Sequence, residues 1–294
     1  MSDDLLNSLW QRRTRWSRTA THLKRRLDRT RLAVLLLGSW GAIATASTTT
    51  ILRSAGIPTR IMALSGAVAL AVATFLTAQY LTAESTRRWT RARAVSEGIK
   101  QRILAYCATG YPEQPGRLQA DIAGIEQAAD DLRPLLAPAD TTVRAPRPMR
   151  PEEYVHDRVL AQIDDYYLPT ARRYSARAAR LRRAAIGLGL AATIVAAINT
   201  GVGAEAAGRI APWVAVMTTL SGSLLAYLAV KRYDFLVMTY LATADRLHRR
   251  LDRWRADGSP TDRDRWGEFV ADCENTISLE NASWMAKWSE RAEA

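Results

Sequence analysis

Residues 61–83 read IMALSGAVALAVATFLTAQYLTA, and no charged side chain stands between Arg60 and Glu84. Three further windows share that property: LAVLLLGSWGAIATASTTTIL at 32–52, AAIGLGLAATIVAAINTGVGA at 184–204 and IAPWVAVMTTLSGSLLAYLAV at 210–230. Each window holds about 21–23 residues. At about 1.5 Å per helical residue, that covers a hydrocarbon core of roughly 30 Å. Helices apolar on every face need a protein layer or lipid around them, and the rest of this 294-residue chain is too polar to supply such a layer. The windows therefore predict an all-α membrane protein with four transmembrane helices. Whole-chain composition, 48% hydrophobic and 24% charged, hides this because the two kinds of residue are segregated into blocks.

The windows come as two tandem hairpins. RSAGIPTR at 53–60 is expected to link the first pair and EAAGR at 205–209 the second, both short, with Gly or Pro to turn the chain. Basic residues set the orientation. The stretch 1–31 and the stretch 171–183 each carry a side-chain charge of +6, together equal to the net charge of +12. Arg87, Arg88, Arg91 and Arg93 follow the second span, and Lys231 and Arg232 the fourth, whereas the hairpin tips hold only Arg53, Arg60 and Arg209. Both termini and the middle region are thus expected in the cytoplasm. Basic blocks so placed serve lipid headgroups and topology, so the charge does not argue for a nucleic-acid partner. The start MSDDLLNSL is not the pattern of a secretory signal peptide.

The chain reads as a duplication. Ile99, Ile103, Tyr106, Gly110 and Pro112 match Leu247, Leu251, Trp254, Gly258 and Pro260 at one constant offset, which also superposes the ends of the second and fourth spans. Residues 1–133 form a first two-span unit, 134–151 a linker with five prolines, and 152–294 a second unit. Each unit reads as a basic helix, two spans, and a helix expected to continue straight out of the membrane into a cytoplasmic helical bundle. Gly110-Tyr111-Pro112 stops the first such helix. A final helix after Pro260 carries the stripe Phe269, Cys273, Ile277, Asn281, Trp284 and Trp288. It is expected to close the bundle, with membrane-surface anchoring by Trp284 and Trp288 as the alternative. Tyr154, Tyr166, Tyr167 and Trp254 belong to the same bundle.

No catalytic constellation is present. G-x-x-x-x-G-K-[ST], H-E-x-x-H and G-x-S-x-G are all missing, two Cys make no C-x-x-C, and three scattered His fit no common metal motif. Gly187-Leu188-Gly189 sits inside a span, where it suits helix packing rather than a dinucleotide. No enzyme activity, cofactor or metal is expected. Small residues Gly38, Gly41, Ala42 and Gly187 recur at four-residue spacing with other small residues and are candidates for close helix packing. The uncharged polar residues of the spans, Ser47, Thr48, Thr49, Thr50, Gln79, Asn199 and Thr200, are candidates for lining a weakly selective aqueous path. Hydroxyls bonding back to their own helix are the alternative for each Thr.

Tyr154, Arg158, Gln162, Tyr166 and Tyr167, ahead of the second hairpin, resemble the opening pattern of the SLATT family, the SMODS- and SLOG-associating two-transmembrane effector domains. CENTISLENASWMAKW at 273–288, with Glu274, Glu280 and Trp284, is similar to that family's C-terminal helix, and the first half, ending YCATGYP, resembles a second, divergent unit. The resemblance implies an effector of bacterial conflict systems at the inner membrane: an oligomer that forms a pore or channel and permeabilises the bilayer in antiphage defence. It also implies a nucleotide second-messenger synthase or sensor acting in trans, and it carries no catalytic residues. A regulated cation channel with a housekeeping role and a non-conducting scaffold share the same predicted fold.

Overall fold

The computed structural model describes residues 2–51, 56–109 and 115–289, the side chains at 2–3, 115 and 279–289 excepted. Every regular element among them is helical: α1 (Ser2–Thr50), α2 (Ile57–Tyr80), α3 (Ala83–Ala108), α4 (Pro115–Gln127), α5 (Pro151–Tyr154), α6 (Leu168–Thr200), α7 (Ala204–Lys231), α8 (Tyr233–Ala256) and α9 (Arg263–Ser289). A 3-10 turn at Asp130–Leu135 follows α4, and two π-helical stretches, Val155–Leu160 and Gln162–Tyr167, join α5 to α6. Among the described residues four helices are long and apolar enough to cross a membrane, and each holds most or all of one of the four windows.

The turns differ from those expected. Glu205 to Arg209 is not a loop: it forms the first turns of α7, where Arg209 and Glu205 pair at 2.6 Å across one helical turn. Residues 201–203 turn the chain instead. The alanines of EAAGR favour helix, whereas Gly201 and Gly203 interrupt it. In the first hairpin the helix resumes at Ile57, with a proline in its first turn, where the missing N–H costs nothing; 52–55 lie outside the described residues.

The helices leading into the membrane and those leaving it behave differently. Residues 2–50 form one unbroken helix, and 151–200 another of 50 residues. The outgoing helices, expected to run on without interruption, are each broken at one point. Leu81 closes α2 by donating its N–H to the Thr77 carbonyl, and α3 starts at Ala83. Arg232 closes α7 in the left-handed conformation (φ 48°, ψ 40°), its N–H on the Leu228 carbonyl, and α8 starts at Tyr233. A residue in that conformation cannot carry the helical ladder onward.

The chain forms two compact units, and each draws on both halves of the sequence. The first comprises 1–26, 83–172 and 236–294; the second comprises 27–82 and 173–235 and holds the spans. In the first unit α3 and α9 pack together, and Ile99, Ile103, Leu247 and Leu251, positions matched in the duplication, are all fully buried. The proline-rich stretch after the 3-10 turn is extended but pinned. The Ala137 carbonyl accepts from Arg15 Nε at 3.0 Å, the Ala145 N–H donates to Asn7 Oδ1 at 2.9 Å, and the Met149 N–H donates to the Cys107 carbonyl at 3.0 Å. The expected stop at Gly110-Tyr111-Pro112 lies outside the described residues, as do the side chains of Asn281, Trp284 and Trp288.

Left-handed backbone costs a residue with a Cβ about 1–2 kcal/mol. Arg232→Gly is therefore expected to raise stability by roughly 1 kcal/mol. Thermal unfolding in detergent should show a higher midpoint, and an unchanged or lower one would mean that the arginine side chain contributes more than the backbone strain.

Candidate functional site

Two regions bear on function: the four-helix membrane unit and a buried polar centre in the first unit. In the membrane unit no apolar driving force favours helix against helix over helix against lipid, so close packing and polar clips must hold it. The α1–α2 seam is built from small residues. A Cβ on Gly41 would stand 2.5 Å from Leu70 Cγ, and one on Gly66 2.9 Å from Ala44 Cβ. Ala44, Ala69 and Ala73 are buried as well. Gly41 thus sits at a close approach. Gly38 does not: a Cβ there meets nothing within 4 Å, and the same holds for Gly187. Ala42 is half-buried. In the second hairpin the seam runs one helical face away from Gly187, through Ala185, Gly189 and Ala192, because Ser221 Oγ on α7 donates to the Ala185 carbonyl at 2.8 Å. Ser221, Gly66 and Ala44 were missed in the sequence, although Gly66, Ala69 and Ala73 repeat at helical spacing and could have signalled the seam.

Polar clips join α1 to α7. Trp213 Nε1 donates to Thr50 Oγ1 at 3.2 Å, and Lys231 Nζ meets Asp28 Oδ1 at 2.6 Å. The polar residues singled out in the spans are placed as follows. Ser47 is buried and its hydroxyl donates to the Ile43 carbonyl; Thr48, Thr49 and Thr50 donate to carbonyls three or four residues back, as does Thr200. Gln79 is exposed. Asn199 differs, because its Oδ1 is buried with no hydrogen-bond partner among the described residues. An apolar groove of about 770 Å³ opens between α1, α2 and α7, lined by Gly38, Leu70, Thr74, Thr77, Ser223 and Tyr227 among others. Of the residues expected to line a pore, none borders it.

The first unit carries the second region. Arg158 sits in the first π-helical stretch. Its Nε and Nη2 donate to the two oxygens of Glu274, each at 2.8 Å, and its Nη1 donates to Gln162 Oε1 at 3.1 Å. Tyr154 Oη donates to Glu274 Oε1 at 3.0 Å. Arg158 and Glu274 are 8% and 1% exposed, so both charges are withdrawn from water and each depends on the other. The pairing keeps the Arg158 guanidinium protonated, raising its pKa against the opposing desolvation. Burial and the Glu274 carboxylate push the Tyr154 hydroxyl well above its usual range.

The π-helical stretches have a packing reason. Val155, Val159, Ile163, Tyr167 and Ala171 recur every fourth residue and all are buried. In an α-helix of about 3.6 residues per turn such a row overshoots at each step and spirals off the face. The wider turn of a π-helix holds it against the core. Aromatic rings surround this row. Tyr167 stands 5.7 Å and Tyr166 5.8 Å from Tyr240, Tyr154 packs edge-on against Trp266 at 5.7 Å, and Trp254 stacks on Phe269 at 5.1 Å. Cys107 and Cys273 are buried, their thiols pushed up to about 11 and about 12 by burial, which keeps them protonated and unreactive at neutral pH. Among the described residues no group of His, Cys, Asp and Glu is arranged to hold a metal.

The fold and this geometry define a helical membrane protein with paired spans and a polar, aromatic-lined core outside them. Residues 154–284 match the family model described as SMODS and SLOG-associating 2TM effector domain 1, and residues 14–112 match that of a protein of unknown function, DUF4231, a related SLATT-type domain. Residues 154–284 therefore carry a SLATT-type two-transmembrane effector domain, and the first half matches a related one. The match begins at Tyr154 and includes Arg158 and Glu274, so the buried centre lies wholly within it. No curated protein and no solved structure matches the chain.

Two outcomes follow. Gly41→Leu should collapse the folded peak in size-exclusion chromatography while Gly38→Leu keeps it; equal behaviour of the two would refute the seam. Glu274→Ala should cost about 3–5 kcal/mol by stranding Arg158, whereas the pair Arg158→Met with Glu274→Leu should recover much of it. Chemical denaturation of the solubilised protein measures both.

Proposed function

We propose that this chain is an oligomeric effector that opens a pore in the inner membrane of a bacterium, in nucleotide-signalled antiphage or conflict defence. The observation that carries the reading is the match of the second half to a two-transmembrane effector domain, in a chain that adds a second hairpin of the same kind. Four helices are few for an aqueous path, so several copies must contribute. The membrane unit leaves surface for them. Only 6% of the fourth apolar window is buried within the chain, and Ile186, Leu190, Ile194 and Ile198 form an exposed row on α6. Asn199, with its unpartnered oxygen, sits on the helix that carries that row.

Both termini lie in the cytoplasm on this reading, because the basic runs flank the inner ends of the spans. A trigger acts on the first unit, supplied by a nucleotide second-messenger synthase or sensor in trans. The breaks at Leu81 and Arg232 let each outgoing helix change its angle without unwinding a span. Opening is then a shift between two packings of the hairpins.

The test is flux from liposomes holding the purified protein, with and without candidate cyclic nucleotides. Leakage of both ions and small dyes with little discrimination is the expected result. Selective ion current without dye release would replace the pore by a regulated channel. Tight vesicles under every stimulus, with the protein shown to be inserted, would leave a membrane scaffold.

A further inference from the structure

One cationic group in the first unit has no counterpart. Lys100, on α3, is half-buried, and its ammonium makes no hydrogen bond or ion pair among the described residues. Its neighbours worsen the position. Burial lowers its pKa, and Arg158 and Arg13 add to that as like charges, despite Glu97 and Glu274 nearby. A charge taken from water without a partner is costly, and each acid close by is already engaged or shared. Glu274 is held by Arg158 and Tyr154, and Glu97 also faces Arg93 and Arg13.

Lys100 stands on a cavity of about 660 Å³, lined also by Trp10, Arg147, Met149, Arg158 and Gln162. Lys100, Arg158 and Gln162 border a second, smaller cavity of about 270 Å³ as well, so they form the shared wall of the two. The rim is rigidly held. Ala145 is tied to Asn7, and Met149 to the Cys107 carbonyl, which presents Arg147 between two anchors. Arg147 is exposed and has no ion-pair partner among the described residues. Two carboxylates share the lining. Glu153 is taken up by Arg150 through its side chain and its backbone N–H, and Asp157 by His156 at 2.6 Å. Arg13 lies over the Trp10 ring at 4.9 Å, with its Nε buried and unpartnered. The wall therefore presents two cations without an ion-pair partner among the described residues, Lys100 and Arg147, while its two carboxylates are each held by a neighbouring residue.

We propose that this cleft binds a small phosphate-bearing anion, with a phosphate oxygen on the Lys100 ammonium and Arg147 closing on it from the rim. The phosphate could be that of a soluble compound or of a lipid headgroup; both offer the same oxygens to the same cations. The site is independent of what the spans conduct.

Thermal unfolding of the full chain tests it, with pyrophosphate as probe at constant ionic strength. In neutral detergent, the parent should show a saturable rise in midpoint that sodium chloride does not reproduce. Lys100→Met should abolish that response and raise the midpoint without ligand, because it removes an unpaired charge and keeps the apolar stem. Arg147→Gln, at an exposed position that cannot disturb folding, should weaken the apparent affinity by about tenfold or more, the worth of one charged hydrogen bond. A second arm places parent and Lys100→Met in nanodiscs of neutral lipid and of neutral lipid with phosphatidic acid. Stabilisation confined to the acidic nanodiscs and lost in Lys100→Met assigns the phosphate to a headgroup. No response in either arm, or a response that Lys100→Met retains, overturns the proposal. Flux plays no part in the readout, so failure here and failure of the pore reading are seen separately.

Discussion

The hydrocarbon core offers no water, so a segment that crosses it must satisfy its backbone polar groups internally. That constraint organises this molecule. It forces the four windows into helices, it drives the chain to turn only at the hairpin tips, and it makes hydroxyls in the spans bond back to their own carbonyls, as Ser47, Thr48, Thr49 and Thr50 do. It also explains why the membrane unit is held as it is. With lipid as apolar as leucine, side-chain burial gives little preference for a helix neighbour. What remains is close approach, as at Gly41 and Gly66, and a few polar clips, Ser221 to Ala185, Trp213 to Thr50 and Lys231 to Asp28.

The first unit follows the opposite rule. There water is the competitor, apolar burial is worth about 25 cal/mol per Å², and the core fills with Ile99, Ile103, Leu247, Leu251 and a row of aromatic rings. Against that background a bidentate Arg158–Glu274 pair is expensive to bury, and its net contribution to stability is small. Its use is registry. The guanidinium plane fixes α9 against the π-helical stretch in one rotation, and Tyr154 and Gln162 fill the remaining bonding positions. The family match spans both partners.

Much of this was legible because it depends on local composition. Charge-free windows of sufficient length, basic flanks and the alternation of apolar and polar helix faces are properties of neighbours in the chain. The motif residues Tyr154, Arg158, Gln162 and Glu274 could be picked out as a pattern, and Cys273 could be placed on the apolar stripe of the last helix. The π-helical turns could also have been anticipated, since a strict four-residue row from Val155 to Ala171 does not fit the α-helical period. Gly38 and Gly187 behave otherwise, because a Cβ on either meets nothing within 4 Å. Their spacing equals that of Gly41 and Gly189, and spacing cannot say which face of a lipid-embedded helix meets another helix.

By itself, then, the sequence determined the number of apolar windows, their pairing in hairpins and the all-helical class, because each follows from hydrophobicity over a short stretch of chain. Tertiary structure alone decided which small residues touch, that Arg158 meets Glu274 across 116 positions, that the proline-rich stretch is pinned to α1 and α3, and that Lys100 is left without a partner. These outcomes rest on pairs distant in sequence. Their energies depend on distance and on the water each approach excludes, and neither quantity is written in the order of the residues.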